Sequence, residues 1–221
     1  MPRDYILRMI EQFGIVWRRV LKHKQLRTYE AGLADVDTTY GTMFGLNARF
    51  IDLLPDPALL DLVRDGERLD ADKAGILAAL HTAEGDFYTE LRRIDEAFRR
   101  YERALLLYGA IIRAGDGLPK EVREPATHLL ETLELYVLDP PLLDDLWRVY
   151  GGLGQYDMAE NVLWNWLETV EFEPLAVADA LAWYNSLLNQ THSALHKGKL
   201  PRTEVQQSIA ELQTRAVDAD R

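Results

Sequence analysis

Apolar residues recur every three or four positions along almost the whole chain, and the period-2 alternation of half-buried strands is missing. The chain is therefore expected to be all-α. Ile6, Met9, Ile10, Phe13, Trp17, Val20 and Leu21 form one stripe of a first helix ending near His23, and Tyr29, Leu33, Val36, Tyr40 and Phe44 do the same for a second. Between Leu46 and Asp70 the pattern shortens, with Pro55 and Pro57 fencing two short helical pieces before the turn RDGERLD. Longer segments run from Ala71 to Leu91 and from Ile94 to Ile112, where AGDGLP stops the helix. Further helices are expected over 120–137, 141–152, 156–171, 175–197 and 202–216, separated by Asp139-Pro140-Pro141, Gly151 to Gln155, Glu173-Pro174 and Gly198 to Pro201.

Helices joined by such short loops pack as antiparallel neighbours, in a bundle or a stack of hairpins. Internal similarity favours the stack. LRTYEAGLADV, RRIDEAFRRYERAL and GQYDMAENVLWNWL align without gaps on Ala31, Ala97 and Ala159, at spacings of 66 residues (31 to 97) and 62 residues (97 to 159). Both are close to twice the 34-residue tetratricopeptide period. Gly85, Tyr88, Ala97, Tyr101 and Ala104 hold the offsets of that repeat's small and aromatic residues. Trp147, Tyr150, Gly154, Tyr156, Ala159, Leu163 and Trp166 hold corresponding ones, and Pro174 closes the hairpin. Alanines at such positions let two helices approach while aromatics fill the gap to the next hairpin. Trp147 and Trp166 depart from the pattern, standing where small residues are usual, and imply a wider separation there.

On these residues the chain resembles tetratricopeptide-like helical repeat proteins over about residues 71–174. Its opening DYILRMIEQ, followed by YEAGLADVD, is also similar to an uncharacterised bacterial family that begins with such a helix and carries such repeats. The expected fold is an α-α superhelix of tetratricopeptide-like helix hairpins in a single helical-repeat domain, 1–221. Within it, 1–46 is an N-terminal hairpin with a basic first helix, 47–70 an irregular joint and 71–216 the stacked hairpins. The resemblance implies protein or peptide binding along a concave face, a fold-level expectation.

The net charge of −11 argues against a nucleic-acid partner, whose recognition draws on clustered Lys and Arg. The charge is uneven. Residues 1–30 carry seven Lys and Arg against three Asp and Glu, a net +4, which leaves −15 for the remainder. This first segment is expected to be a solvated helix face, or to dock on the chain's own acidic body or on an acidic partner. Absence of cysteine removes disulfides, thiolate metal sites and thiol nucleophiles. No secretory leader and no apolar run of membrane-spanning length is seen, so a cytoplasmic location is expected.

No GxSxG, Walker-type GxxxxGK, HExxH or GxGxxG spacing occurs. Three histidine pairs have helical spacing: His192 with His196, His81 with Glu84, and His128 with Glu131. An isolated pair falls short of the three or four ligands of a metal site, so no metal or cofactor is expected. Four of five asparagines form two pairs one turn apart, Asn161/Asn165 and Asn185/Asn189. The first pair lies opposite the apolar arc of its helix and is expected to face water. The second continues with His192 and His196 as a polar stripe on the helix expected over 175–197. There Asn amides can hold an extended peptide backbone with donor and acceptor together, or bond a neighbouring helix. Trp164, between the apolar arc and the polar face, is a weak anchor candidate or is buried by a following helix.

The function expected from these residues is a non-enzymatic cytoplasmic scaffold or adaptor that binds a protein or peptide partner, with Asn185, Asn189, His192 and His196 as peptide-binding candidates. A different class stays open, a metal-dependent or small-molecule-binding helical enzyme using His81, Glu84, His128 and Glu131. So does self-association into a homo-oligomer through uncapped hairpins.

Overall fold

The computed structural model describes the backbone of residues 2–219 and the side chains of residues 8–215, so Ile6 lies outside the described side chains. Among the described residues the chain is all-α, with twelve α-helices, one 3-10 turn and a minimal β-hairpin. The tertiary contacts group residues 1–136 and 137–221 into two compact units.

The first unit opens with α1 (Pro2–Leu26) and α2 (Tyr29–Phe44), a hairpin turned by Arg27 in the left-handed region. Met9, Phe13, Val16 and Val20 of α1 are buried, whereas Trp17 is half-buried and Leu21 exposed. The expected joint follows as α3 (Ala48–Leu53), α4 (Asp56–Leu62) and strands β1 (Arg64–Asp65) and β2 (Arg68–Leu69). Asn47 caps α3 through Phe50 N–H, and Pro55 and Pro57 stand where they start α4 without needing a donor. The long α5 (Ala71–Glu90) and α6 (Ile94–Arg113) form the next hairpin, and a 3-10 turn (Lys120–Val122) leads into α7 (Arg123–Leu133). The helix expected over 120–137 is thus shorter at both ends.

α5 is the centre of this unit, packing against α1, α2, α6 and α7. Every residue from Ala74 to Gly85 is buried. Its alanines and glycines explain why: a helix apolar or small on all sides can be surrounded, and small residues let neighbours approach closely. Two notches show this. A Cβ built on Gly85 would lie 2.3 Å from the ring of Tyr101, and one on Gly32 would lie 2.5 Å from the ring of Phe87. Ala97 is fully buried, as expected from the repeat alignment, but Ala31 is exposed and its neighbour Gly32 makes the close contact instead.

The second unit holds α8 (Pro140–Leu153), α9 (Tyr156–Thr169), α10 (Pro174–Leu187), α11 (His192–Lys197) and α12 (Arg202–Ala219). Gly154 ends α8 with φ of 80° and donates its N–H to the last carbonyls, as a left-handed C-cap does. Ala159 is fully buried, and the large departures at Trp147 and Trp166 pack on each other with ring centroids 6.2 Å apart.

The helix expected over 175–197 breaks. α10 ends at Leu187, Asn189 and Gln190 lie in the turn, and Thr191 caps α11 by accepting from Ala194 N–H at 3.1 Å. Arg202 donates to Leu188 O at 2.6 Å and Gln190 O at 2.8 Å, satisfying carbonyls that the continued helix would have used. A tertiary cap therefore overrides the helical period.

Candidate functional site

Side chains from five helices of the first unit converge on Asp86 in the last turns of α5. Asp86 Oδ2 accepts from Lys24 of α1 and lies 3.0 Å from His128 Nε2 of α7, while Oδ1 accepts from Tyr101 Oη of α6 at 2.9 Å. Thr89 Oγ1 is 3.1 Å from the same Tyr101 hydroxyl, and Tyr29 of α2 packs on Phe87 with rings 6.4 Å apart. Together with Glu90 and Thr132 these residues line a cleft of about 290 Å³.

Asp86 itself is held from three sides, so its task is to fix its donors. Burial by itself would raise its carboxyl pKa, but the hydrogen bond from His128 and the charge of Lys24 outweigh burial and hold it below the usual value of 3.8. Tyr101 is pushed above 10.0, chiefly by burial and then by the Asp86 charge, and stays a donor. What faces a ligand is the His128 ring, 45% exposed, the exposed Glu90 carboxylate with its Tyr29 partner, and aromatic walls. Donors, an acceptor and apolar surface in a space of this size have the chemistry to hold a side chain of a peptide segment or a small ligand.

A second polar group is sealed in the same unit. Tyr40 Oη donates to Glu84 Oε2 at 2.7 Å and lies 3.2 Å from His81 Nδ1. Arg100 Nε is 3.1 Å from Glu84 Oε2, in an ion pair whose alignment falls short of a hydrogen bond, and its Nη1 bonds Asp52 of α3. Its neighbour Arg103 donates to Ile51 O at 2.7 Å and Leu54 O at 2.6 Å, capping α3. This network ties α2, α3, α5 and α6 together.

His81 Nε2 is buried with no hydrogen-bond partner among the described residues. Burial lowers the ring pKa below its ordinary 6.5, against the opposing pull of Glu84, so the folded chain keeps it neutral. The unfolded chain takes up that proton first. Stability contributed by the neutral ring is present above about pH 6.5 and falls as pH drops from 6.5 towards the depressed value. The melting temperature should decline across this window, ahead of the lower window in which Asp86 is protonated. His81→Gln should flatten the upper decline, and an unchanged profile in that variant would reject the assignment to His81.

Residues 1–217, almost the whole chain, match a single family, one of unknown function. The chain belongs to DUF6483. Neither the curated proteins nor the solved structures include a significant match.

In this DUF6483 chain Asn185, Asn189, His192 and His196 are all exposed, but the helix break distributes them over α10, the turn and α11. Asn189 Nδ2 reaches back to Asn185 O at 3.4 Å, and no bond to another helix joins the four among the described residues. Asn161 and Asn165 are exposed, as the amphipathic pattern implies. Trp164 is half-buried, its Nε1 donating to Tyr184 Oη at 3.0 Å, and the Tyr184 hydroxyl in turn donates to Glu160 Oε1 at 2.7 Å. It is therefore a packing residue of α9 against α10.

The histidine and carboxylate pairs part company. His81 and Glu84 are shut in the core network, whereas His128 turns to Asp86 and Glu131 is exposed. Among the described residues no three His, Asp or Glu side chains are grouped to hold a metal ion, and no helix is long and apolar enough to cross a membrane. Lys24, Asp86 and Tyr101 were not distinguishable as site residues by spacing, because positions 24, 86, 101 and 128 come together only through packing.

Proposed function

We propose that this DUF6483 chain is a non-enzymatic scaffold of tetratricopeptide-like hairpins that holds a segment of a partner protein in the cytoplasm, with the Asp86 cleft as the seat of that segment. The observation that carries the reading is the cleft itself, where α1, α2, α5, α6 and α7 bring donors, an acceptor and aromatic walls into a side-chain-sized space. The notch of Gly85 filled by Tyr101, and the buried Ala97 and Ala159, support the repeat-like packing. The half-exposed His128 ring and the Glu90 carboxylate supply the contacts to the bound segment.

The test is selection from a displayed random-peptide library on the full chain, followed by fluorescence anisotropy with the enriched peptides. His128→Ala combined with Glu90→Ala should weaken them by about tenfold or more, the size of a modest interface anchor. Asn185→Ala, Asn189→Ala and His192→Ala are combined in a parallel variant. Loss in the parallel variant with full binding in the first would move the seat to the α10–α11 surface and overturn the cleft; failure to enrich any peptide would overturn the scaffold reading.

A further inference from the structure

The basic character of α1 divides into two parts. Its inner polar groups are satisfied within the unit: Lys24 pairs with Asp86, and His23 Nε2 lies 3.1 Å from Asp35. Its outer cations, Arg18, Arg19 and Lys22, are exposed and meet no acid among the described residues. The local carboxylates are engaged or outnumbered. Asp35 faces His23, Asp37 accepts from Ala48 N–H at 2.6 Å, and Glu11 is the exposed acid of α1 among the described residues.

Beside Arg19 runs a groove of about 280 Å³ between α1 and α2. Ile15, Val16 and Met43 make its floor, and Ile15 is 45% exposed. The α2 wall is threonine, but Thr38, Thr39 and Thr42 each donate to the carbonyl four residues earlier, at 2.9, 2.7 and 2.9 Å. Their hydroxyl protons are engaged inside α2, so the wall demands no acceptor from a ligand. Arg19 forms one edge, and Lys22 follows it by three residues on the same row of α1.

We infer that this groove seats an acidic amphipathic helix of a partner protein, its aliphatic side chains over Ile15 and Met43 and its carboxylates against Arg18, Arg19 and Lys22. The geometry matches helix-in-groove recognition: the lining of α1 runs from Gln12 to Arg19, about 10 Å of helical rise, the separation of anchors at i and i+7 on a helix lying alongside. Charge complementarity selects the acidic sequence. A membrane surface fits less well, because a helix that lies in lipid must offer its apolar face, and here Met9, Phe13, Val16 and Val20 are already buried in the core. Nucleic acid would face the repulsion of a chain at −11.

The probe is a labelled, helix-forming peptide of about 18 residues, five turns, with Leu at i, i+3 and i+7 and Glu on the flanking positions. It should bind the full chain in anisotropy, more weakly as salt rises. Combined Arg18→Glu, Arg19→Glu and Lys22→Glu should reduce affinity about tenfold or more, since each exposed pair contributes modestly and all three reverse sign. Ile15→Asp should reduce it similarly, while His128→Ala leaves it unchanged and so separates this surface from the Asp86 cleft. These outer residues are exposed, so folding is checked by an unaltered circular dichroism melt.

No binding at millimolar peptide, equal binding of a scrambled peptide of the same charge, or indifference to charge reversal would each overturn the inference. So would phosphatidylserine vesicles that bind the chain and displace the peptide, or light scattering showing that a second copy covers this face.

Discussion

Arg100→Met is expected to cost the first unit about 3–5 kcal/mol, the penalty of leaving a buried carboxylate without its cation. Glu84 is 1% exposed and Arg100 5% exposed, so water does not replace the lost guanidinium. What remains beside Glu84 is the Tyr40 hydroxyl and a neutral His81 ring, neither of which carries positive charge. The Asp52 anchor of α3 goes at the same time. Urea titration followed by amide exchange in α5 and α6 reads the effect. The double variant Glu84→Gln, Arg100→Met should recover most of it, because neutralising both partners removes the buried charge along with its need for compensation. A single-variant loss below about 1 kcal/mol would show that Arg100 is not needed to compensate the buried Glu84 side chain.

Gly85→Ala is the second large effect, and its interest lies in the contrast with Gly14→Ala. Both glycines sit inside helices, where alanine is favoured by about 1 kcal/mol. At Gly14 an added Cβ meets nothing within 4 Å, so that variant should gain about 0.5–1 kcal/mol. At Gly85 the Cβ would sit 2.3 Å from the Tyr101 ring. That ring is 1% exposed and its hydroxyl is held by Asp86 and Thr89, so it can yield only by straining those bonds. Overpacking of this kind costs about 1–3 kcal/mol and exceeds the propensity gain. Thermal melts of the two variants should move in opposite directions; an upward shift for Gly85→Ala would show that the Tyr101 seat is looser than its contacts imply. Because Tyr101 also braces Asp86, Gly85→Ala should disturb the cleft as well as the core.

These two positions show how far the sequence could be read. The alignment singled out Gly85 and Tyr101 as the small residue and the aromatic of one hairpin, and they meet in the structure. It also singled out Ala97 and Ala159, both fully buried. The same alignment placed Ala31 one residue away from the contact that Gly32 makes, since a shift of one position on a helix turns a side chain by about 100°. The His81/Glu84 pair was visible as a spacing, but the spacing could not say that Arg100 and Tyr40 would close around it. Local order was legible where neighbours three or four residues apart determine it.

The candidate site was less legible for a physical reason. The Asn185/Asn189/His192/His196 stripe assumed an unbroken helix, and the break arises from Arg202, 14 residues beyond Leu188, capping carbonyls that helical periodicity counted as internally bonded. The Asp86 cleft draws on Lys24, Tyr101 and His128, residues whose own surroundings in the sequence are ordinary.

By itself, then, the sequence determined an all-helical chain, the short hairpin turns, the packing of Ala97 and Ala159 and the outward Asn161 and Asn165, because each follows from apolar periodicity, Gly and Pro placement and intrinsic propensity within a few residues. Tertiary structure alone decided which of the many charged side chains became buried, which paired and which were left facing a groove. Those outcomes depend on the burial and mutual distance of groups remote in sequence, and electrostatic energies change with burial far more than with residue type.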